Sequence, residues 1–221
     1  MTVSERQRLL ARLSEGCDAL DMSLSDEQLA QLVEFLFQLQ RWNKTYNLTA
    51  IRDLDDMLAH HLLDSLAVIP ALTTRVSPHQ SARVMDVGSG GGLPGVVLAA
   101  VMPNWQVICV DAVEKKMAFV RQMAGVLKLP NLSACHTRVE KLEAAGCDVV
   151  ISRAFASLQD FAALAGRHVK QGGTLAAMKG KRPDDELQAI QATSGWCVSE
   201  LVSVQVPGLQ ADRCLVLLHR E

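Results

Sequence analysis

The chain has 221 residues, 49 % hydrophobic and 21 % charged, a balance that excludes wholesale disorder and supplies one buried core with a small extension. Its formal net charge of −2 excludes a global field that gathers nucleic acid indiscriminately, so any RNA site must be a local patch. No apolar run reaches the ~18 residues of a membrane span, and the cysteines at 17, 109, 135, 147, 197 and 214 have neither C-x-x-C spacing nor a zinc-spaced histidine; the chain reads as cytoplasmic, a monomer by default, with free, mostly buried thiols and no metal.

Helical spacing dominates the first 70 residues. Leu9, Leu10, Leu13 and Cys17 form one stripe and Leu29, Leu32, Val33, Leu36 and Leu39 a second, with Ser25 and Gln28 as a capping box. A third helix is predicted from Asp53, its N-cap, to Ile69, with Leu54, Met57, Leu58, His61, Leu62 and Leu66 on one side. On that helix His60 and Asp64 stand four apart, and both histidines and the aspartate read as packing and capping residues. Residues 41 to 52, RWNKTYNLTAIR, read as a linker in which polar, aromatic and basic residues replace the stripe.

After Ser77-Pro78 short apolar runs alternate with amphipathic ones: RVMDV, PGVVLAAVM, QVICVD, EKKMAFVRQMAGVL, LSACHT, DVVISR, a helix near 157–168, TLAAMKG and a helix near 184–193. Such alternation predicts a mainly parallel sheet with helices on both faces. The tail, CVSELVSVQVP and CLVLLHR with a turn between, predicts an antiparallel hairpin. The expected fold is α/β: a Rossmann-like class I S-adenosylmethionine (SAM)-dependent methyltransferase domain over residues 78–221, seven strands ending in a hairpin, with a helical extension over 1–77 that is not independent. Ligands of such sheets bind at the carboxyl ends of the strands, beside the first one.

The stretch DVGSGGGLPG, residues 86 to 95, can be counted in two registers. From Gly90 it spells G-x-G-x-x-G, a dinucleotide pattern, with Asp111 following. From Gly88 it spells D-x-G-x-G-x-G, the pattern of a SAM site. Pro94 at the first helical position has no N–H to give a pyrophosphate, whereas SAM has no phosphate and wants backbone approach and negative groups. Gly88, Gly90 and Gly92 would supply the approach, Asp86 would meet the ammonium end of the ligand, and Asp111 would accept from both ribose hydroxyls. The register from Gly88 is preferred; an NAD-dependent oxidoreductase and a bare strand-to-helix turn are the alternatives.

The loop after the fourth strand, ISRAFAS, lacks the [DN]-P-P-[YF] used on exocyclic amines, and no Pro-Cys dipeptide offers a nucleophile for a pyrimidine. In order, WNKTYNLTAIR, HLLDSL, DVGSGGGLPG, RVE at 138–140, ISRAFASL and MKG make the chain resemble the RsmG (GidB) family over most of its length. The resemblance implies methylation of N7 of one guanosine, guanine 527, in the 530 loop of 16S ribosomal RNA, with naked RNA, the 30S subunit or an assembly intermediate as substrate. It further implies SAM contacts at Gly88 and Leu93, an adenine framed by the backbone of Val139 and Glu140, and Arg153 bordering the cofactor or acceptor pocket.

Guanine N7 carries an in-plane lone pair and loses no proton on methylation, so positioning suffices, and Arg153 is the one candidate for more. The RNA would be held by Lys179, Lys181 and Arg182 after the fifth strand and by Arg41, Lys44 and Arg52 in the linker, with Trp42 and Tyr46 as stacking candidates. A small-molecule methyltransferase, which has no use for those lysines, and a non-catalytic RNA-binding module are the rival functions.

Overall fold

The computed structural model describes residues 3–193 and 195–220. Two helices open the fold, α1 (Val3–Ala19) and α2 (Asp26–Tyr46), and their predicted stripes face inward, with Leu9, Leu13, Leu32, Val33, Leu36 and Leu39 at 0 % exposure and Leu10 and Leu29 half-buried. The capping box forms at the start of α2: Ser25 Oγ accepts from Gln28 N at 3.2 Å, and Gln28 Oε1 accepts from Ser25 N at 3.0 Å.

α2 runs six residues into the expected linker. Arg41, Lys44 and Tyr46 face outward, but Asn43 between them is buried and keeps the inner stripe going. The helix stops at Asn47, whose φ of +50° is the left-handed cap conformation that asparagine tolerates. Asn43 then folds the remaining linker back, its amide donating to Ile51 O at 3.0 Å and its carbonyl accepting from Thr49 N at 2.9 Å.

The predicted helix 53–69 is not one regular helix. Asp53 caps it as expected, accepting from the amides of Asp55 and Asp56 at 2.8 and 3.2 Å. The chain then passes from α3 (Leu54–Met57) through a π-helical turn (Leu58–Leu63) into α4 (Asp64–Leu66) and α5 (Ile69–Thr73). Every residue from Met57 to Ile69 except His60 is buried, so this segment is packed on all sides and not on one; the wider turn shifts the helical phase by a residue along it.

The remaining elements alternate as predicted: β1 (Ala82–Val87), α6 (Gly95–Val101), β2 (Trp105–Asp111), α7 (Glu114–Val126), β3 (Leu132–His136), a 3₁₀ turn (Val139–Lys141), β4 (Cys147–Ser152), α8 (Leu158–Ala165), β5 (Val169–Lys179), α9 (Asp184–Thr193), β6 (Trp196–Ser203) and β7 (Cys214–Arg220). They form one seven-stranded sheet in the order β3-β2-β1-β4-β5-β7-β6. β1 to β5 are parallel, and β7 is antiparallel to both β5 and β6, so the tail hairpin is present with its second strand inserted next to β5.

On one face, Val84, Val107 and Val149 pack with α6 and α7 and, beyond them, with Leu36, Leu39, Leu62 and Leu66 of the leading helices, in one continuous core. On the other, Met85, Val150, Leu175 and Val216 pack with Leu158, Phe161 and Trp196. The order reverses between β1 and β4, and there the loops that follow β1, β2, β4 and β5 converge. Among the described residues no helix is long and apolar enough to cross a membrane.

Candidate functional site

The loop after β1 is tied to β2 by its backbone. Gly88 N and Ser89 N donate to Val110 O at 2.8 and 3.2 Å, and Gly90 N donates to Asp111 Oδ2 at 3.0 Å. Gly88, Gly90 and Gly92 all take positive φ, +68°, +59° and +87°, a conformation that costs any other residue type strain. Their surroundings separate them. A Cβ at Gly90 would meet none of the described residues within 4 Å, whereas one at Gly88 would lie 2.6 Å from Ala154 Cβ and one at Gly92 2.5 Å from Val96 Cγ2. Open backbone for a ligand is therefore found at Gly90; Gly88 and Gly92 let the loop close on its neighbours. Leu93 is buried in the core, so its side chain is unavailable and only its backbone can face a ligand.

Asp86 is wholly buried beneath this loop. Its Oδ2 accepts from Gly95 N at 2.8 Å, its Oδ1 has no partner among the described residues, and burial pushes its pKa up to about 7 against the opposing pull of that amide and of Arg153. Pro94 is the cap residue of α6 rather than its first helical residue, a shift of one from expectation. The first free amide of the helix is thus spent on an internal carboxyl group and is not available to a pyrophosphate.

Asp111 closes β2, where the spacing put it, and is nearly buried. Its Oδ1 accepts from Val113 N at 2.9 Å, and Lys116 Nζ stands 3.7 Å from Oδ2. Thr137 N donates to Asp111 O at 3.1 Å, which draws the end of β3 and the following 3₁₀ turn to the same edge. In that turn Val139 is buried, its carbonyl accepting from His168 Nε2 at 3.0 Å, and Glu140 is exposed.

Arg153 follows β4, beside Ala154 and the glycine loop. It lines a cavity of about 260 Å³ together with Asp64, Val68, Met178, Gly180 and Arg213. Asp64 was expected to pack or cap and instead is a buried carboxylate between two guanidinium groups: Arg213 Nε donates to Oδ1 at 2.8 Å, and Arg153 Nη1 reaches Oδ2 at 3.4 Å, the same distance as His60 O. Neither Asp64 nor Arg213 stood out as a site residue in the sequence. They are 149 positions apart and in different elements, and only the HLLDSL motif hinted at the first. His61 is turned away, its Nε2 2.9 Å from Thr49 Oγ1, and burial, with Arg153 nearby, lowers its pKa to about 4, so the ring is neutral.

The basic residues divide. Lys179, expected among the RNA contacts, is mostly buried and lines the cavity. Its side chain is 11 % exposed, and its three ammonium protons have three acceptors: Phe155 O at 3.2 Å, Ala156 O at 3.3 Å and Glu186 Oε2 at 2.8 Å. Glu186 also accepts from Leu158 N at 2.7 Å, so the pair staples the loop after β4 to β5 and α9. Lys181 and Arg182 are exposed, Arg182 beside Asp184. Arg41, Lys44 and Arg52 are exposed too, and their segment borders the glycine loop, since a Cβ on Gly91 would lie 3.2 Å from Leu39 Cδ1 and 3.9 Å from Leu48 Cβ. Trp42 packs on Phe119, centroids 5.4 Å apart, and on Tyr46 at 4.9 Å; Tyr46 is 41 % exposed.

A loop with open backbone at Gly90, an acid closing β2, and a buried Asp86 oxygen without a partner fit a ligand with ribose hydroxyls and a cationic end. With this sheet order, fold and site define a class I SAM-dependent methyltransferase. Solved structures agree on the fold: a SAM-dependent methyltransferase from Aquifex aeolicus superposes with a TM-score of 0.57 at 17 % identity, over 74 % of this chain and 92 % of that one, and a ribosomal protein L11 methylase from Lactobacillus delbrueckii subsp. bulgaricus with 0.55 at 13 %, over 76 % and 80 %. Residues 28–216 match the family model GidB, described as rRNA small subunit methyltransferase G, and the chain belongs to that family. Proteins named ribosomal RNA small subunit methyltransferase G are 60 % identical in Bordetella petrii, over 95 % of this chain and 82 % of that one, and 46 % identical in Burkholderia pseudomallei, over 98 % and 93 %.

Proposed function

We propose that the enzyme methylates N7 of a guanosine in 16S ribosomal RNA, guanine 527 of the 530 loop, within the small subunit or its assembly intermediate in the cytoplasm. The observation that carries this reading is what lines the cavity that Arg153 enters after β4: cationic hydrogen-bond donors, with Asp64 as the one carboxylate among the described lining residues, and that one ion-paired. Asp64 is engaged by Arg153 and Arg213, and His61 is bonded to Thr49 away from it. Methylating an exocyclic amine requires a group to take a proton; methylating guanine N7 does not, because its lone pair lies in the ring plane.

SAM, when bound, supplies a methyl group on a sulfonium centre. Gly90 gives it open backbone, and Asp111, Val139 and Glu140 stand at the strand ends where its ribose and adenine would be held. Arg153 and Arg213 present donors to the acceptor-rich edge of a guanine, where an adenine carries an amino group that donors do not suit. Exposed Lys181, Arg182, Arg41, Lys44 and Arg52 flank the site on two sides and hold the phosphates, with Tyr46 available to an unpaired base.

The test is transfer of a labelled methyl from SAM to small subunits prepared from a strain that lacks the modification, followed by cleavage at N7-methylguanosine and reverse transcription. One stop at the 530 loop is the expected result. Label that enters no RNA, or enters it without creating a cleavage site, refutes the proposal.

A further inference from the structure

We propose that Arg213 is a specificity-determining residue that reads guanine O6 in the acceptor cavity, and that Asp64 is the positioning residue that aims it. This rests on the guanine-N7 reading above. Arg213 lies in the loop before β7 and is locked from two sides: Nε donates to Asp64 Oδ1 at 2.8 Å and Nη1 to Asp212 O at 2.9 Å. Its Nη2 has no partner among the described residues, although the side chain lines the cavity and is 24 % exposed. A guanidinium fixed at Nε and Nη1 has one edge left, and that edge is a rigid donor.

Arg153 enters the same cavity from β4 but is held more loosely, with Nη1 at 3.4 Å from both Asp64 Oδ2 and His60 O. The tighter clamp on Arg213 marks it as the reader. Asp64 can act as a fixed clamp because its own backbone sits where the π-helical turn passes into α4, and its carboxylate is buried. It neutralises one of the two guanidinium charges, and Lys179, the third cation of the lining, is paired with Glu186, so the cavity keeps a net positive charge suited to an electron-rich edge.

Guanine N7 is the reacting atom, so the neighbouring acceptor left for a donor is O6. The experiment crosses protein and base substitutions. Wild type, Arg213→Lys and Asp64→Asn are assayed on small subunits reconstituted around 16S rRNA assembled by ligation with either guanosine or 2-aminopurine at the target; 2-aminopurine keeps N7 and lacks O6. On guanosine, Arg213→Lys is expected to lower kcat/KM roughly 10-fold to 100-fold, the scale of one base-edge contact. On 2-aminopurine the wild type should already have lost most of that factor, and Arg213→Lys should lower it less than about 3-fold further. Asp64→Asn should act through the same route, so that combining it with Arg213→Lys adds little.

SAM affinity by calorimetry should be unchanged in Arg213→Lys. Equal losses on both bases, or none on guanosine, overturn the assignment of Arg213. Absence of transfer by the wild type to the guanosine substrate overturns instead the functional reading beneath it. Should Asp64→Asn fail to fold, the base-substitution cycle with Arg213→Lys alone still decides.

Discussion

Lys179→Met should destabilise the fold and leave phosphate contacts alone, the reverse of what a basic run after a strand suggests. Methionine keeps the apolar stem and removes the ammonium, so Phe155 O and Ala156 O lose their donor and Glu186 keeps only the Leu158 amide. Removing one partner of a buried ion pair costs about 3–5 kcal/mol. Glu186 retains 27 % of its side-chain exposure and recovers some hydration, which brings the expected cost to about 2–3 kcal/mol. For a chain of this size each kcal/mol moves the midpoint by about 2–4 °C, so Tm should fall by about 4–12 °C. Thermal and urea unfolding measure this, beside RNA binding over a range of salt. A variant within about 0.5 kcal/mol of wild type, with weaker RNA binding and a shallower salt slope, would refute the staple and restore Lys179 as a phosphate contact.

Gly90→Ala and Gly88→Ala should part company: both add strain of about 1–2 kcal/mol, but Gly90→Ala should chiefly weaken SAM binding in calorimetry, and Gly88→Ala, which drives a methyl into Ala154, should chiefly lower stability. Unchanged SAM affinity in Gly90→Ala would show that the open space there is not the ligand's. Asp86 has its folded pKa raised from 3.8 to about 7, so its penalty is absent below pH 4, grows as the unfolded chain ionises first, and is complete above about pH 7, at roughly 4 kcal/mol from ~1.4 per unit. Asp86→Asn should therefore gain stability relative to wild type between pH 4 and 7 and stay level above; urea unfolding at several pH values showing a flat difference would refute it. Lys181→Met and Lys44→Met should leave stability within about 0.5 kcal/mol and each reduce the slope of log affinity against log salt by about 0.7–0.9; an unchanged slope removes that residue from the RNA surface.

The parallel sheet was legible because each strand is a short apolar run ended by punctuation the chain displays: Asp86-Val87-Gly88, Asp111, and Lys179-Gly180. The glycine loop was legible for the same reason, since its glycines, Asp86 and Asp111 are neighbours in sequence or one strand apart. What stayed hidden depends on distance or on phase. Asp64 finds Arg213 across most of the chain, and no local pattern encodes that meeting. The π turn leaves the apolar count of its helix unchanged while altering which residues face inward. Lys179 looked like Lys181 because the sequence does not record that Glu186 and two carbonyls close around only the first of them. Asp86 was expected to face the ligand's ammonium, and the structure turns one of its oxygens to the amide of Gly95.

The sheet divides the site between its two sides. The glycine loop follows β1 and Asp111 closes β2, on one side of the point where the strand order reverses. Arg213 stands just before β7, on the other side, and β7 is the strand through which β6 joins the sheet, since among the described residues β6 pairs with β7 alone. The residues that would hold the methyl donor and the residue that would choose the base therefore hang from opposite halves of one sheet, and the Asp64–Arg213 pair ties the second half back to the leading helices.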